Sequence, residues 1–201
     1  MSGRDSASAY SKGSPAHGSG RRTPSGTPVP AALAGRPIDP RRRLPIPYVS
    51  EHPAGDGAGA AVVDFTAINA ERAAAAGQSR RCSLCAEPLG YWIGFLGGAG
   101  AAQARVYSDP PGHPECLRAA VELCPYIAIG AARRASDRHR AGDTVTPPGF
   151  SDTKPGQWVL GLTRSYKMIL TRGTLLFLPA PFTHVAQWRY DQNGRLVPAD
   201  P

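Results

Sequence analysis

Three cysteines and one histidine fall into two short pairs, Cys82-Ser83-Leu84-Cys85 and His113-Pro114-Glu115-Cys116, with 27 residues between Cys85 and His113. Thiolate and imidazole are soft to borderline donors. Four of them at tetrahedral corners hold zinc, with Zn–S near about 2.3 Å and Zn–N near about 2.0 Å. Two pairs, each with its members separated by two residues, supply such a set from two backbone elements. The spacing marks Cys82, Cys85, His113 and Cys116 as ligands of a structural Zn2+. With four protein ligands the coordination sphere is closed to water and substrate, so the chemistry is architectural.

Other uses of the cysteines stay open at this point. Four cysteines allow two disulfides in three connectivities. That needs an oxidising compartment, and Met1-Ser2-Gly3-Arg4-Asp5-Ser6 starts no secretory signal, so a reducing, cytoplasmic location is expected. Cys82 and Cys85 alone could form a redox dithiol, although no strand–helix–strand pattern surrounds them. Metal-free thiols packed in a core are the remaining reading.

The elements around the pairs follow from turn and helix signals. Pro110-Pro111-Gly112 forces a turn, and Pro114 suits a first helical position, where its missing N–H would have no partner anyway. Glu115 to Cys124 consists largely of good helix formers, and Pro125 ends the run. His113 then precedes the helix and Cys116 lies in its first turn. Cys124 stands eight residues beyond Cys116, roughly 12 Å along a continuous helix, too far to share an ion. It is expected as a buried thiol on the same face.

Between the pairs, Gly90-Tyr91-Trp92-Ile93-Gly94-Phe95-Leu96 reads as a strand and Gly97-Gly98-Ala99-Gly100 as a turn, with Gln103 to Tyr107 returning as its partner. Knuckle, β-hairpin and helix in this order resemble a treble-clef zinc finger. Position 86 departs from that pattern: glycine usually follows the second knuckle cysteine, because the backbone there is left-handed, and here it is Ala86.

Composition bounds the rest. The chain has 201 residues, 41% of them apolar, with 21 prolines and 23 glycines and a formal charge of +8. One ordinary domain with a tail fits these figures. Residues 1–43 carry eight Lys/Arg against Asp5 and Asp39, and are rich in Ser, Gly, Pro and Arg. Such a segment cannot repay its ordering entropy, so 1–43 is expected to be a disordered basic arm. Its Arg41-Arg42-Arg43 end is suited to nucleic acid or an acidic surface, or simply to keeping the chain in solution. Residues 44–201 form a single expected α+β domain, with the zinc core at 81–126. In it, Ala61 to Phe65 reads as a short strand and Thr66 to Gly77 as an alanine-rich helix closed by its glycine.

Beyond the core, Arg133-Arg134-Ala135-Ser136-Asp137-Arg138-His139-Arg140 is a short basic run suited to phosphates or to a solvated loop. Residues 157–197 read as a small antiparallel β meander: Trp158 to Thr163, Lys167 to Thr171, Thr174 to Leu178 after a Gly173 turn, then Val185 to Tyr190. Asn193-Gly194 is a strong hairpin signal. No apolar run approaches the ~20 residues that cross a bilayer, so no membrane partner is expected.

No catalytic constellation is present: the sequence has no Gly-rich phosphate loop, no Gly-x-Ser-x-Gly and no His-Glu-x-x-His. His52 beside Pro53 reads as a solvated loop histidine, and His184 as a satisfied strand histidine. The function these features favour is a non-catalytic zinc module whose partner is nucleic acid, through the basic arm, or protein. The alternative is a treble-clef nuclease of the His-Asn-His type. That chemistry needs a histidine or asparagine in the helix, and Glu115 to Cys124 has neither.

A longer frame of residues carries a family resemblance. Cys82-Ser83-Leu84-Cys85-Ala86-Glu87-Pro88-Leu89-Gly90 is followed by Phe95, Gly97 and Gly98. Asp109-Pro110-Pro111-Gly112-His113-Pro114-Glu115-Cys116 comes next, and Cys124-Pro125-Tyr126 closes the frame. Over roughly residues 44–190 the chain resembles a family of small proteins of actinobacteria and their phages. The resemblance implies a soluble, intracellular, zinc-binding protein and brings no activity with it.

Overall fold

The computed structural model describes residues 23, 26, 28–52, 62–63, 65, 68–130 and 154–199. Its organising strand is β4, Gln157–Thr163, whose residues from Trp158 onward are all buried. An unbroken apolar run with no polar alternation suits a strand covered on both faces. β4 pairs antiparallel with β3, Ile93–Gly98, on one side and with β7, His184–Tyr190, on the other. β8, Leu196–Ala199, extends the sheet beyond β7, giving the order β3-β4-β7-β8.

Alternation along these strands sends side chains to two cores. Leu160 and Leu162 of β4 meet Leu117 of helix α4, Pro114–Leu123, with Trp92, Leu96 and Trp188 packed around them. On the opposite face Ile93 and Phe95 of β3 pack with Tyr107 and Phe177. Phe95, Phe177, Ile93 and Leu160 are fully enclosed. Burial of each such side chain is worth about 1.5–3 kcal/mol over leaving it in water.

The expected β-hairpin is corrected here. Residues 103–107 do not return as the partner of β3. The chain leaves β3 into the short helix α3, Ala99–Ala104, closed by Arg105 in a left-handed conformation at φ 52°. Its AGAAQA sequence is mostly alanine, the best helix former, and β3 finds its partner instead in the apolar β4. Tyr107 bridges Phe177, with N–H···O distances of 3.0 and 2.8 Å in the two directions.

The C-terminal strands are antiparallel, but not one consecutive meander. β5, Tyr166–Thr171, and β6, Thr174–Pro179, form a separate two-stranded ribbon. Its turn places Arg172 and Gly173 at φ 46° and 77°, the sign a tight two-residue hairpin requires. β7 then returns to β4, and the Asn193-Gly194 turn, with Gly194 at φ 69°, leads into β8.

The segment 28–43 is also corrected, in part. It packs on the domain. Val29, just before helix α1 (Ala31–Ala34), and Leu33, within it, are buried against Cys82, Cys85, Cys116 and Ala119. Glu51 ties the segment down further by pairing with both Arg36 and Arg72, the latter at 2.8 Å. Both guanidinium groups lie over the ring of Tyr48, at 5.9 and 4.7 Å from its centroid. Apart from Thr23 and Gly26, residues 1–27 of the expected arm lie outside the described residues.

Helix α2 runs Ala70–Gln78 rather than from Thr66, because Asn69 caps it by accepting the N–H of Arg72 at 3.1 Å. Gly77 lies inside the helix and does not close it. A Cβ there would come within 2.6 Å of Phe177 and 2.8 Å of the Met168 sulfur. Its missing side chain lets the β5–β6 ribbon lie against α2, and Tyr166 Oη donates to the Gly77 carbonyl at 2.7 Å. His52, expected in a loop, lies with Glu51 in strand β1, which pairs with β2, Val62–Val63. Among the described residues, no helix is long and apolar enough to cross a membrane.

Candidate metal centre

The first ligand pair sits in a tight turn of the backbone. Arg81 and Pro88 form an antiparallel bridge, and the N–H of Cys82 donates to the carbonyl of Glu87 at 2.8 Å. The N–H of Ala86 donates back to the carbonyl of Cys82 at 2.9 Å. Closing that loop puts Ala86 at φ 69°, in the left-handed region that favours glycine. The Arg81 guanidinium fastens the turn through the Ala86 carbonyl at 2.9 Å.

The second pair is set by a loop and a helix start. Gly112 bridges Gly94 of β3 through reciprocal hydrogen bonds of 2.8 and 3.0 Å. A Cβ on Gly94 would lie 2.6 Å from Leu117, so glycine is what allows this close approach. The Pro111 carbonyl accepts the N–H of Ser83 at 2.9 Å and so joins the loop to the knuckle. His113 then occupies the position before α4, Pro114 its first turn, and Cys116 points back to the knuckle.

One ligand atom from each of Cys82, Cys85, His113 and Cys116 lies within 4.8 Å of the others. A tetrahedral cation held by sulfur at about 2.3 Å has ligand–ligand edges of about 3.8 Å. The observed set is close to that size. His113 Nδ1 is 3.3 Å from Cys85 Sγ and 3.9 Å from Cys116 Sγ. The backbone N–H of His113 donates to Cys82 Sγ at 3.3 Å, a contact that favours a thiolate there. His113 Nε2 donates to the Pro88 carbonyl at 2.9 Å, which fixes the ring with Nδ1 facing the sulfurs. Cys82 and Cys116 are fully buried and Cys85 nearly so, and all of the chain's cysteines are free thiols. The donors fit a tetrahedral metal cation.

Electrostatics within the cluster polarise the four groups against one another. The Cys82 thiol is pulled far below its ordinary range, first by the hydrogen bond from Cys116 and then by that from Cys85, against its burial. Cys116 is correspondingly pushed far up by its hydrogen bond to Cys82, then by Cys85 and burial. For Cys85 the bond with Cys116 pulls downward, but the bond with Cys82, burial and the Cys82 charge outweigh it and leave the thiol at about 11. The bond with Cys82 lifts the His113 imidazole to about 9, despite burial.

Cys124 lies outside the cluster. The helix ends at Leu123, and Cys124 is its half-buried cap, with its N–H on the Ala120 carbonyl at 2.9 Å. It lines an apolar cavity of about 230 Å³ together with Leu33, Val49, Leu123 and Trp158. The basic run with Arg133, Arg134, Arg138 and Arg140 lies outside the described residues.

Two parts of the site escaped sequence reasoning. The Pro88 carbonyl is a backbone group and leaves no sequence signal. Val29 and Leu33, which cover the cysteines, stand four apart at helical spacing, yet within a stretch dominated by Pro, Gly and Arg. His184, expected as a strand histidine, opens β7, exposed and with its ring 4.9 Å from Trp92. No protein-family model, curated protein or solved structure matches this chain.

Proposed function

We propose that Cys82, Cys85, His113 and Cys116 hold one structural zinc ion in a treble-clef-like centre, and that the chain is a non-catalytic interaction module for nucleic acid or protein. The observation that carries this is the convergence of three sulfurs and Nδ1 within 4.8 Å. Zinc suits the set because it accepts mixed thiolate and imidazole ligands and imposes no geometry beyond the tetrahedron. When bound, the ion cross-links the knuckle to the first turn of α4.

The treble-clef likeness rests on the knuckle, β3 and the helix start; α3 stands where the second hairpin strand would be. The centre belongs in a reducing compartment, where the thiols remain free. α4 carries neither the histidine nor the asparagine that a His-Asn-His nuclease needs. The test is elemental analysis of protein purified without an affinity tag, with cobalt substitution as a second readout. One zinc per chain, and the intense absorption of tetrahedral thiolate-bound cobalt, are the expected results.

A further inference from the structure

A second constellation lies at the end of the sheet where β3 begins, β4 ends and β7 begins. Ile93 pairs with Thr163 and Leu162 with His184, so Tyr91-Trp92, Arg164 and His184 emerge from three neighbouring strand ends. Tyr91 and Trp92 meet edge to face, with centroids 5.0 Å apart and planes at 82°. The His184 ring stands against Trp92 at 4.9 Å and 77°. The Arg164 guanidinium lies over both rings, 4.7 Å from Tyr91 and 5.6 Å from Trp92.

The two aromatics are held differently. Trp92 is half-buried against Leu117, Leu160 and Leu162, which anchors it. Tyr91 remains 62% exposed even with Trp92 and the Arg164 guanidinium against its ring. Charge is unevenly distributed along the chain. Residues 154–199 carry six Lys/Arg against Asp191 alone, whereas residues 44–153 carry nine against eleven Asp/Glu. Arg164, Lys167, Arg172, Arg189 and Arg195 are all exposed.

We infer that Tyr91, Trp92, Arg164 and His184 form a stacking platform for single-stranded nucleic acid, an inference that rests on reading the chain as a binding module. Exposed rings offer π faces to unpaired bases, and a guanidinium held over them is placed to meet the adjoining phosphate. Arg164 and Lys167, three residues apart and both exposed, supply positive charge beside the platform for a phosphate backbone. Paired bases in a duplex have no free faces, so the single strand is the favoured form. The metal centre contributes by position: Pro88, whose carbonyl His113 holds, lies three residues before Tyr91.

The test is fluorescence anisotropy of the full chain with a labelled ten-nucleotide oligothymidylate and with a duplex of equal length, at two salt concentrations. Tyr91→Ala and Arg164→Ala are compared with Leu170→Ser, an exposed change on β5, and the zinc content of each protein is measured alongside. The platform predicts tighter binding to the single strand, weakened about tenfold or more by either platform variant and unchanged by Leu170→Ser. No binding by zinc-loaded wild type, equal affinity of the platform variants, or preference for the duplex would each overturn it. Binding that is lost on deleting residues 1–22, while the platform variants bind normally, also overturns it. If wild type lacks zinc yet the variants still weaken binding, the platform stands and the structural-zinc reading falls.

Discussion

His113 gives its Nε2 hydrogen to the carbonyl of Pro88, 2.9 Å away, and this turns its Nδ1 toward the cysteines. The acceptor belongs to the knuckle and the donor to the start of α4. One hydrogen bond therefore joins the two halves of the centre and selects the ring nitrogen left free for a cation.

Metal uptake should depend steeply on pH. Binding requires His113 neutral and the cysteines as thiolates, yet His113 is raised to about 9 and Cys85 to about 11, with Cys116 higher still. Near neutral pH the ion must displace protons from all of these groups, so its affinity rises with pH. The sign reverses for the metal-free fold. A histidine raised above its ordinary value of 6.5 to about 9 contributes stability that is fully present below pH 6.5 and lost as pH rises through about 9. Chelator competition at pH 6.5, 7.5 and 8.5 checks this; an affinity that does not change with pH contradicts it.

Ala86→Gly should stabilise the protein. At φ 69° the alanine Cβ crowds its own backbone, a cost of about 1–2 kcal/mol for a residue in the left-handed helical region. Glycine relieves it but loses more chain entropy on folding, so a net gain of about 0.5–1 kcal/mol is expected. Ala86→Val should move the other way, since a β-branched side chain is least tolerated there. Denaturant midpoints of the metal-loaded proteins decide the order.

The boundary of the folded chain should fall before Val29. A chain starting at Pro28 keeps Val29, Leu33 and Arg36, whereas one starting at Arg41 loses all three. Removing the two apolar side chains alone forfeits about 3–6 kcal/mol of burial, at about 1.5–3 kcal/mol each. It also uncovers Cys82, Cys85 and Cys116, so the shorter chain should surrender its metal faster to a chelator. Equal melting temperatures for the two chains would contradict the packing of this segment.

The parts legible in the sequence are those set by local chemistry. The four ligands announce themselves by residue type and spacing, and Pro110-Pro111-Gly112 with Pro114 marks the start of α4 without reference to any other element. The Asn193-Gly194 turn is equally local. What failed was long-range pairing. β3 has an apolar pattern that any apolar strand satisfies, and its partner β4 lies about sixty residues further along the chain. Residues 97–100 read as a turn and 103–107 as a strand because glycines and then Val106 and Tyr107 suggest it, while the alanines of Ala99–Ala104 decide for the helix α3. Val29 and Leu33 were hidden because a composition average over residues 1–43 dilutes two apolar anchors.

Cys124→Ala should leave the metal in place, because Cys124 stands outside the cluster as the cap of α4. Its cost should be modest, since the side chain is only half-buried at the edge of a cavity. Cobalt spectra of this variant identical to wild type support the ligand set, and a shifted spectrum brings Cys124 into it.

Metal content is the most direct test of the centre. Elemental analysis of freshly purified, untagged wild type should give one zinc per chain, and Cys82→Ser should lose both the zinc and much of the fold. Binding at comparable centres contributes about 10–16 kcal/mol to folding in small finger peptides, which is more than most domains can forgo. A well-folded wild type without zinc, or a Cys82→Ser protein that keeps a full equivalent, would contradict the ligand set of Cys82, Cys85, His113 and Cys116.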